Sequence, residues 1–281
     1  MKDHFLTAAD MTKFERFLRE EEREAATIEK YLREVQAFYA WLEGKPVTKE
    51  KVVKWKERLQ QEGYACATVN AKLSALNGFF KFVGWEECRV KFLRIQRQMF
   101  RKQSKELTKA EYERLLETAR RIGKERLSLL METICATGIR VSELSYITVE
   151  SAREGRAQVE LKGKIRVILL PGKLCRKLLK YAQEQGNASG EIFVTKGGRG
   201  LGRRQIWREM KELCKAAGVE ASKVFPHNLR HLFATSFYKI CKDIVRLADV
   251  LGHSSVETTR IYLLTAGREH ARQMELTGLI L

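Results

Sequence analysis

Hydrophobic positions recur at helical spacing through most of the chain. Ile28, Tyr31, Leu32, Val35, Phe38, Tyr39 and Leu42 fall on one face of a 3.6-residue repeat, and Gly44 and Pro46 stop it. Thr48 is placed to cap a following helix that carries Val52, Val53, Trp55 and Leu59 and ends at Gly63. Val69, Leu73, Leu76, Phe80 and Val83 line another, closed by Gly84, and a first helix spans about Thr7 to Glu21. Short amphipathic helices of this kind predict a four-helix bundle with a small core.

The pattern restarts at Leu107-Thr108-Lys109-Ala110-Glu111, a capping box preceded by an apolar residue. Val159-Glu160-Leu161 and Arg166-Val167-Ile168-Leu169-Leu170 are strand-like runs joined by Lys162-Gly163-Lys164-Ile165, which predicts a hairpin, and Ile192-Phe193-Val194 predicts a third strand. Helices are expected at about 203–217, 227–241 and 244–251, then one carrying Tyr262 about two turns in, after a capping box from Ser254 to Glu257. The expectation is a mainly α protein with a small β-sheet in its second domain: helical residues 1–88, a linker over 89–105, and an α+β domain over 106–281.

Charge changes this picture. Lys plus Arg total 53 against 35 Asp plus Glu, a formal charge of +18, which favours an anionic partner, and nucleic acid is the commonest large one. Seven of those cations lie between Arg89 and Lys105, where no acidic residue occurs. A solvated linker would suffice to explain them, but a basic linker in a basic protein is better placed along phosphates. The six cysteines form no C-x-x-C pair and read as free, mostly buried thiols, with neither a metal site nor a disulfide framework. The start lacks the apolar core of a signal peptide, and no run approaches the roughly 20 apolar residues of a membrane span. A cytoplasmic, nucleoid-associated protein is expected.

Candidate chemistry concentrates in three blocks: Ala136-Thr137-Gly138-Ile139-Arg140-Val141-Ser142-Glu143-Leu144, His227-Asn228-Leu229-Arg230-His231, and Leu251-Gly252-His253 with Tyr262 nine residues later. Gly138 suits a left-handed helix end, so Arg140 falls in the turn beyond it. Glu143, one helical turn on, can hold that arginine or a neighbouring histidine, or form a plain intrahelical ion pair. His227 and Arg230 share a helix face at i and i+3, with His231 alongside, and Leu229, Phe233, Phe237 and Ile240 make the opposite, core-facing stripe. Two guanidiniums clamp a phosphate that gains charge, imidazoles donate hydrogen bonds or take a proton, and a phenol can hold a phosphoryl group covalently. Each residue alone has a plainer reading: a surface arginine, a satisfied histidine, an amphipathic core tyrosine.

The ordered set reverses those plainer readings, because the blocks resemble the tyrosine recombinase (phage integrase) family, and its Xer-like bacterial members in particular. The resemblance implies a SAM-like core-binding domain followed by a tyrosine recombinase catalytic domain. It implies catalytic residues Arg140, Lys162, His227, Arg230, His253 and Tyr262, with Glu143 and His231 supporting them. Lys164 is the rival to Lys162, since the first glycine of the family's Gly-Lys-Gly turn is replaced by Leu161. The implied activity is cleavage and rejoining of DNA through a 3′-phosphotyrosyl link, with no metal and no other cofactor. The implied partners are double-stranded DNA and three further copies of the chain, joined by exchange of the C-terminal tail; the plainer alternative is a tail folded on its own domain. Candidate DNA contacts are Lys30, Arg33, Lys72 and Lys81 in the bundle, Arg94, Arg97 and Arg101 in the linker, and Arg203, Arg204, Gln205 and Arg208 opening a later helix. Three other classes compete: a type IB topoisomerase, a catalytically silent DNA-binding regulator of the same fold, and a basic RNA-binding protein.

Overall fold

The computed structural model describes residues 4–95, 106–161, 164–195, 197–262 and 276. The chain forms two compact units, Met1–Arg97 and Gln98–Leu281. Among the described residues no helix is long and apolar enough to cross a membrane.

The N-terminal unit is built from α1 (Ala8–Glu20), α2 (Ala25–Leu42), α3 (Lys49–Gln61) and α4 (Cys66–Phe82). Thr7 and Thr48 accept the free N–H groups at the starts of α1 and α3, which is how hydroxyl caps fix helix entry. The predicted apolar faces meet in one core around Phe14, Phe38, Leu73, Phe79 and Phe80, with Trp55 and Trp85 edge-on to phenylalanines. The chain leaves α2 one residue before the expected glycine, because Glu43 itself takes the left-handed conformation.

The first part of the basic segment is fastened to this bundle. Asn77, buried on α4, donates to the Val90 carbonyl at 2.9 Å and accepts the Val90 N–H at 3.1 Å. Asn70, two turns earlier, does the same for Leu93 at 2.9 and 2.8 Å. Two amides on one helix face thus pair with an extended strap much as a sheet edge would.

The second unit contains α5 (Lys109–Arg121), α6 (Glu125–Thr137), a 3-10 turn over Val141–Tyr146, α7 (Val149–Glu154), β1 (Arg156–Leu161), β2 (Lys164–Leu169), α8 (Gly172–Glu184), α9 (Arg203–Ala217), α10 (Pro226–Cys241), α11 (Ile244–Leu251) and α12 (Val256–Arg260). The capping box at Thr108 and Glu111 forms at the start of α5. β1 and β2 pair antiparallel, Arg156 opposite Leu169 through Leu161 opposite Lys164. The connection is therefore shorter than expected, and Lys164 and Ile165 belong to β2. Ala157, Val159 and Ile168 face the core, while Ile165, Val167 and Leu169 are exposed.

Several expectations change. Ile192-Phe193-Val194 is no third strand among the described residues: its flanks make only isolated bridges, Thr148 with Glu191 and Val194 with Gly200, and Ile192 and Phe193 are buried as loop anchors. Ile240 is 87% exposed rather than core-facing: it lies in the last turn of α10, which ends at Cys241. Three cysteines are buried, but Cys66 at the start of α4 is exposed. Ser255, not Ser254, caps α12, accepting the Glu257 N–H at 3.2 Å.

Asn77→Ala removes both partners of Val90 and leaves buried backbone groups unpaired, which should destabilise the N-terminal unit by about 2–3 kcal/mol. Three of the four tryptophans, Trp41, Trp55 and Trp85, lie in this unit, so fluorescence during urea unfolding reads the loss. A change indistinguishable from wild type would mean the strap is not part of the folded unit.

Candidate active site

α6 and α10 approach closely at Gly138, the left-handed cap of α6 (φ +65°). A Cβ there would lie 2.6 Å from Phe233 Cε1 on α10 and 2.9 Å from Leu251 Cδ2 on α11. Only glycine permits both the reversal and the contact. The consequence is that Arg140, two residues on, emerges beside the first turns of α10, which carry His227, Arg230 and His231.

Arg140 opens the 3-10 turn. Glu143, 1% exposed, accepts its backbone N–H at 2.8 Å and its Nη1 at 2.9 Å. The same carboxylate accepts the Nη2 of Arg166, on the inward face of β2. Burial raises the Glu143 pKa, but the Arg140 backbone bond and the Arg166 and Arg140 guanidiniums outweigh it, so the net shift is downward and the group is ionised.

Arg230 is 3% exposed. It donates to the carbonyl of Gly138 and, through Nη2, to the Leu251 carbonyl at 2.8 Å and to His253 Nε2 at 2.9 Å. Among the described residues no carboxylate pairs with it. Both carbonyls end helices, where the macrodipole is negative. Burial pushes its pKa down from the ordinary guanidinium value; the Tyr262 phenol opposes this and Arg140 adds to it.

Because a guanidinium can only donate, His253 Nε2 accepts and its proton sits on Nδ1, which faces Thr259 Oγ1 at 2.8 Å. Burial, joined by the charges of Arg230, Arg140 and Arg166, pushes the His253 pKa down to about 4. Gly252, left-handed at φ +63°, lets the His253 N–H close back onto the Ala248 carbonyl at 3.0 Å and sets the ring beside Arg230.

Tyr262 is not two turns into a helix. α12 stops at Arg260, and Tyr262 lies in the turn beyond, its N–H on the Thr259 carbonyl at 3.0 Å. The side chain is 3% exposed and packs with Ala234, Leu247 and Leu251. Three imidazoles surround it: His231 at 5.2 Å between ring centroids, His227 at 5.9 Å, and His253 at 5.9 Å and nearly parallel.

The structure therefore brings together Arg140, Glu143, His227, Arg230, His231, His253 and Tyr262. Lys162 lies outside the described residues, as do Arg97, Arg101 and the C-terminal tail apart from Leu276. Arg166 and Thr259 were missed by the sequence reading. The run from Ile165 to Leu170 is apolar except for Arg166, so alternation gave no inward face, and a lone cation in such a run was the available signal. Of the candidate DNA contacts, Lys30, Arg33, Lys81, Arg94, Arg203, Arg204 and Arg208 are exposed. Lys72 is half-buried, paired with buried Glu34 and 5.1 Å from the Tyr64 ring, and Gln205 donates to Glu209 at 2.9 Å. Among the described residues one group has metal-ligand chemistry, His4, Glu87 and Cys88, with ligand atoms within 4.8 Å of one another; it lies in the N-terminal unit, where His4 already pairs with Glu87 and stacks on Trp85.

Guanidiniums and imidazoles gathered about a tyrosine, in a helical unit with one hairpin, define a protein equipped to handle phosphodiesters. The chain belongs to the phage integrase family, DNA strand cleaving and joining enzymes, which it matches over residues 105–268, and residues 11–87 match the phage integrase N-terminal SAM-like domain. It is 28% identical over 289 residues to tyrosine recombinase XerA of Pyrococcus furiosus, across 100% of this chain and 98% of that protein. It is 30% identical over 259 residues to tyrosine recombinase XerD of Pseudomonas aeruginosa, across 84% and 85%. Its fold is similar to lambda integrase in a tetramer bound to a Holliday junction, with a TM-score of 0.75 at 20% identity, covering 93% of this chain and 78% of that one. XerH bound to its difH substrate gives 0.69 at 20% identity, covering 95% and 84%.

The depressed His253 pKa has a measurable consequence. Between about 4 and the unfolded value of about 6.5 the unfolded chain binds the extra proton, so this residue's contribution to stability falls as pH is lowered through that window. NMR titration of the His253 ring should give a midpoint near 4, and His253→Gln should blunt the loss of stability on acidification. A midpoint at the ordinary histidine value would contradict the Arg230 hydrogen bond.

Proposed function

We propose that this chain is a site-specific recombinase in which Tyr262 attacks a DNA phosphodiester. Its Oη bonds to phosphorus, the bond from phosphorus to the 5′-oxygen breaks, and the products are a 3′-phosphotyrosyl link and a free 5′-hydroxyl. His227 assists removal of the phenolic proton, needed because an ordinary phenol has a pKa of about 10. Lys162 protonates the departing 5′-oxygen. Arg140 and Arg230 stabilise the charge that builds on the nonbridging oxygens, and His253 donates to one of them after its ring proton moves from Nδ1 to Nε2, the nitrogen that accepts from Arg230 in the resting site. Attack by a partner strand's 5′-hydroxyl reverses these steps and exchanges strands without an external energy source.

The observation that carries this reading is the charge of the site among the described residues: three guanidiniums, Arg140, Arg166 and Arg230, against one carboxylate, Glu143. Such a cluster is stabilised by an anion. A catalytically silent regulator would need the phosphate clamp but not a tyrosine ringed by three imidazoles.

Exchange between two duplexes calls for four protomers, and the family neighbours solved on DNA include a tetramer. We assign the same assembly to this chain, with the C-terminal tail passing to a neighbouring protomer. Both domains, 1–88 and 106–281, contact the duplex, with the segment 89–105 along its phosphates. Exposed Arg203, Arg204 and Arg208 open α9, where a helix start can reach base edges in a major groove.

Incubation with nicked half-site duplexes, chosen from a random pool by affinity for the full chain, tests the chemistry. Wild type should form a covalent adduct, and Tyr262→Phe should bind DNA equally and form none; an adduct in that variant would move the nucleophile, with Tyr238 the nearest substitute. Arg140→Ala and Arg230→Ala should each slow adduct formation by roughly 10²-fold or more, with far smaller changes in affinity. Neutralising Arg94, Arg97 and Arg101 together should flatten the plot of log affinity against log salt by about 0.9 for each phosphate no longer neutralised. Equal affinity and slope for the fragment 106–281 would remove the N-terminal domain from the grip.

A further inference from the structure

Among the described residues, Arg166 is the cation of the site that does not come from the three blocks. It sits on the inward face of β2, opposite Val159, with its side chain 16% exposed. Its Nη2 donates to Glu143, the carboxylate that holds both the backbone and side chain of Arg140. Its Nη1 donates to the Val250 carbonyl at 3.2 Å, one residue before Leu251, which holds Arg230. The side chain also fills the space against Gly252, where a Cβ would come within 2.6 Å of Nη1. One guanidinium thus spans the hairpin, the Arg140 turn and the end of α11 that presents His253.

We propose that Arg166 is a positioning residue for strand cleavage: it sets Arg140 through Glu143 and sets the His253 loop through Val250 and Gly252, without touching the scissile phosphate. The inference rests on the phosphotyrosyl reading above. Arginine is required because a planar fork can address a carboxylate and a carbonyl at once, whereas an ammonium is a single point charge. Groups that orient the residues contacting a reactive centre commonly contribute 10- to 100-fold.

The test uses the full chain. Arg166→Ala should slow adduct formation on a nicked half-site by roughly 10- to 100-fold while DNA affinity stays within about twofold. Arg166→Lys should be comparably slow, and it carries the test if the alanine variant folds poorly. A half-site with sulfur as the 5′ leaving atom separates the routes, since a thiolate leaves without a proton. That substrate should rescue Lys162→Ala but not Arg166→Ala, because the fault in the latter lies in the Arg140 and His253 geometry. In addition, Glu143→Gln combined with Arg166→Ala should be little slower than the slower single variant, as coupled neighbours are not additive.

Wild-type rates in both Arg166 variants would overturn the proposal. So would equal losses of rate and affinity, which would make Arg166 a phosphate-binding residue, or full rescue by the thiol substrate, which would confine it to delivering the hairpin lysine. If wild type forms no adduct with any duplex, the recombinase reading fails by itself. The Arg166 linkage is then read by NMR: Arg166→Ala should displace the Gly252 and His253 amide signals and raise the His253 ring midpoint. Unchanged signals would overturn the linkage independently of activity.

Discussion

Three consecutive carbonyls at the end of α11 hold three arginines: Val250 accepts from Arg166, Leu251 from Arg230, and Gly252 from Arg140 at 3.4 Å. The last carbonyls of a helix have no partner within it and carry its negative pole. Here that deficit gathers cations from a strand, a helix and a turn into one place. Most arginines that are brought inside a protein are matched by carboxylates. These are matched mainly by carbonyls, with Glu143 the one ionised acceptor among the described residues, and so the cluster keeps a positive excess that a phosphate can neutralise.

The remaining features of the site follow from making that arrangement possible. Gly138 allows α6 and α10 to approach, Gly252 reverses the chain after α11, and Thr259 holds His253 by its hydroxyl and Tyr262 by its carbonyl. A substitution at any of these would act on chemistry it never touches. The N-terminal unit has a different logic. Its contribution is surface and fit, and Asn70 and Asn77 fix where the basic segment leaves the bundle.

Much of this was legible in the chain. Helix faces over residues 8–82 followed from apolar spacing, because a small bundle has one core and each helix has one side to bury. Thr48, Thr108 and Gly138 announced helix boundaries through capping chemistry that depends on few neighbours. Where reading failed, the determining contact was distant in sequence. Ile192 and Phe193 look like a strand but are anchored by burial, with only single backbone bonds to Ile147 and Leu201 in place of a ladder. Arg166 was hidden because it shares a face of β2 with buried Ile168, while the uniformly apolar face of Ile165, Val167 and Leu169 is the exposed one, so apolar positions could not phase the pleat. The end of α12 before Tyr262 reflects the pull of Thr259 toward His253 and of Tyr262 toward Leu247 and Leu251, which no local rule encodes. Ordered motifs named the candidate residues that the fold brings together, Lys162 aside; they gave no sign of what holds those residues.

The burial of Tyr262 bears on how a DNA-cutting protein coexists with DNA. A phenol that is 3% exposed among apolar side chains and imidazole rings cannot meet a phosphate on a duplex that merely touches the surface. Part of the free energy of docking must go into uncovering it, so a bound complex is weaker than its contacts alone would make it, by the free energy of that opening. The reward is selectivity of a kinetic kind. A duplex held by both units would have longer to uncover the tyrosine than one met by chance. With Tyr262 as the proposed nucleophile, restraint against stray nicking would lie in the resting packing of one side chain.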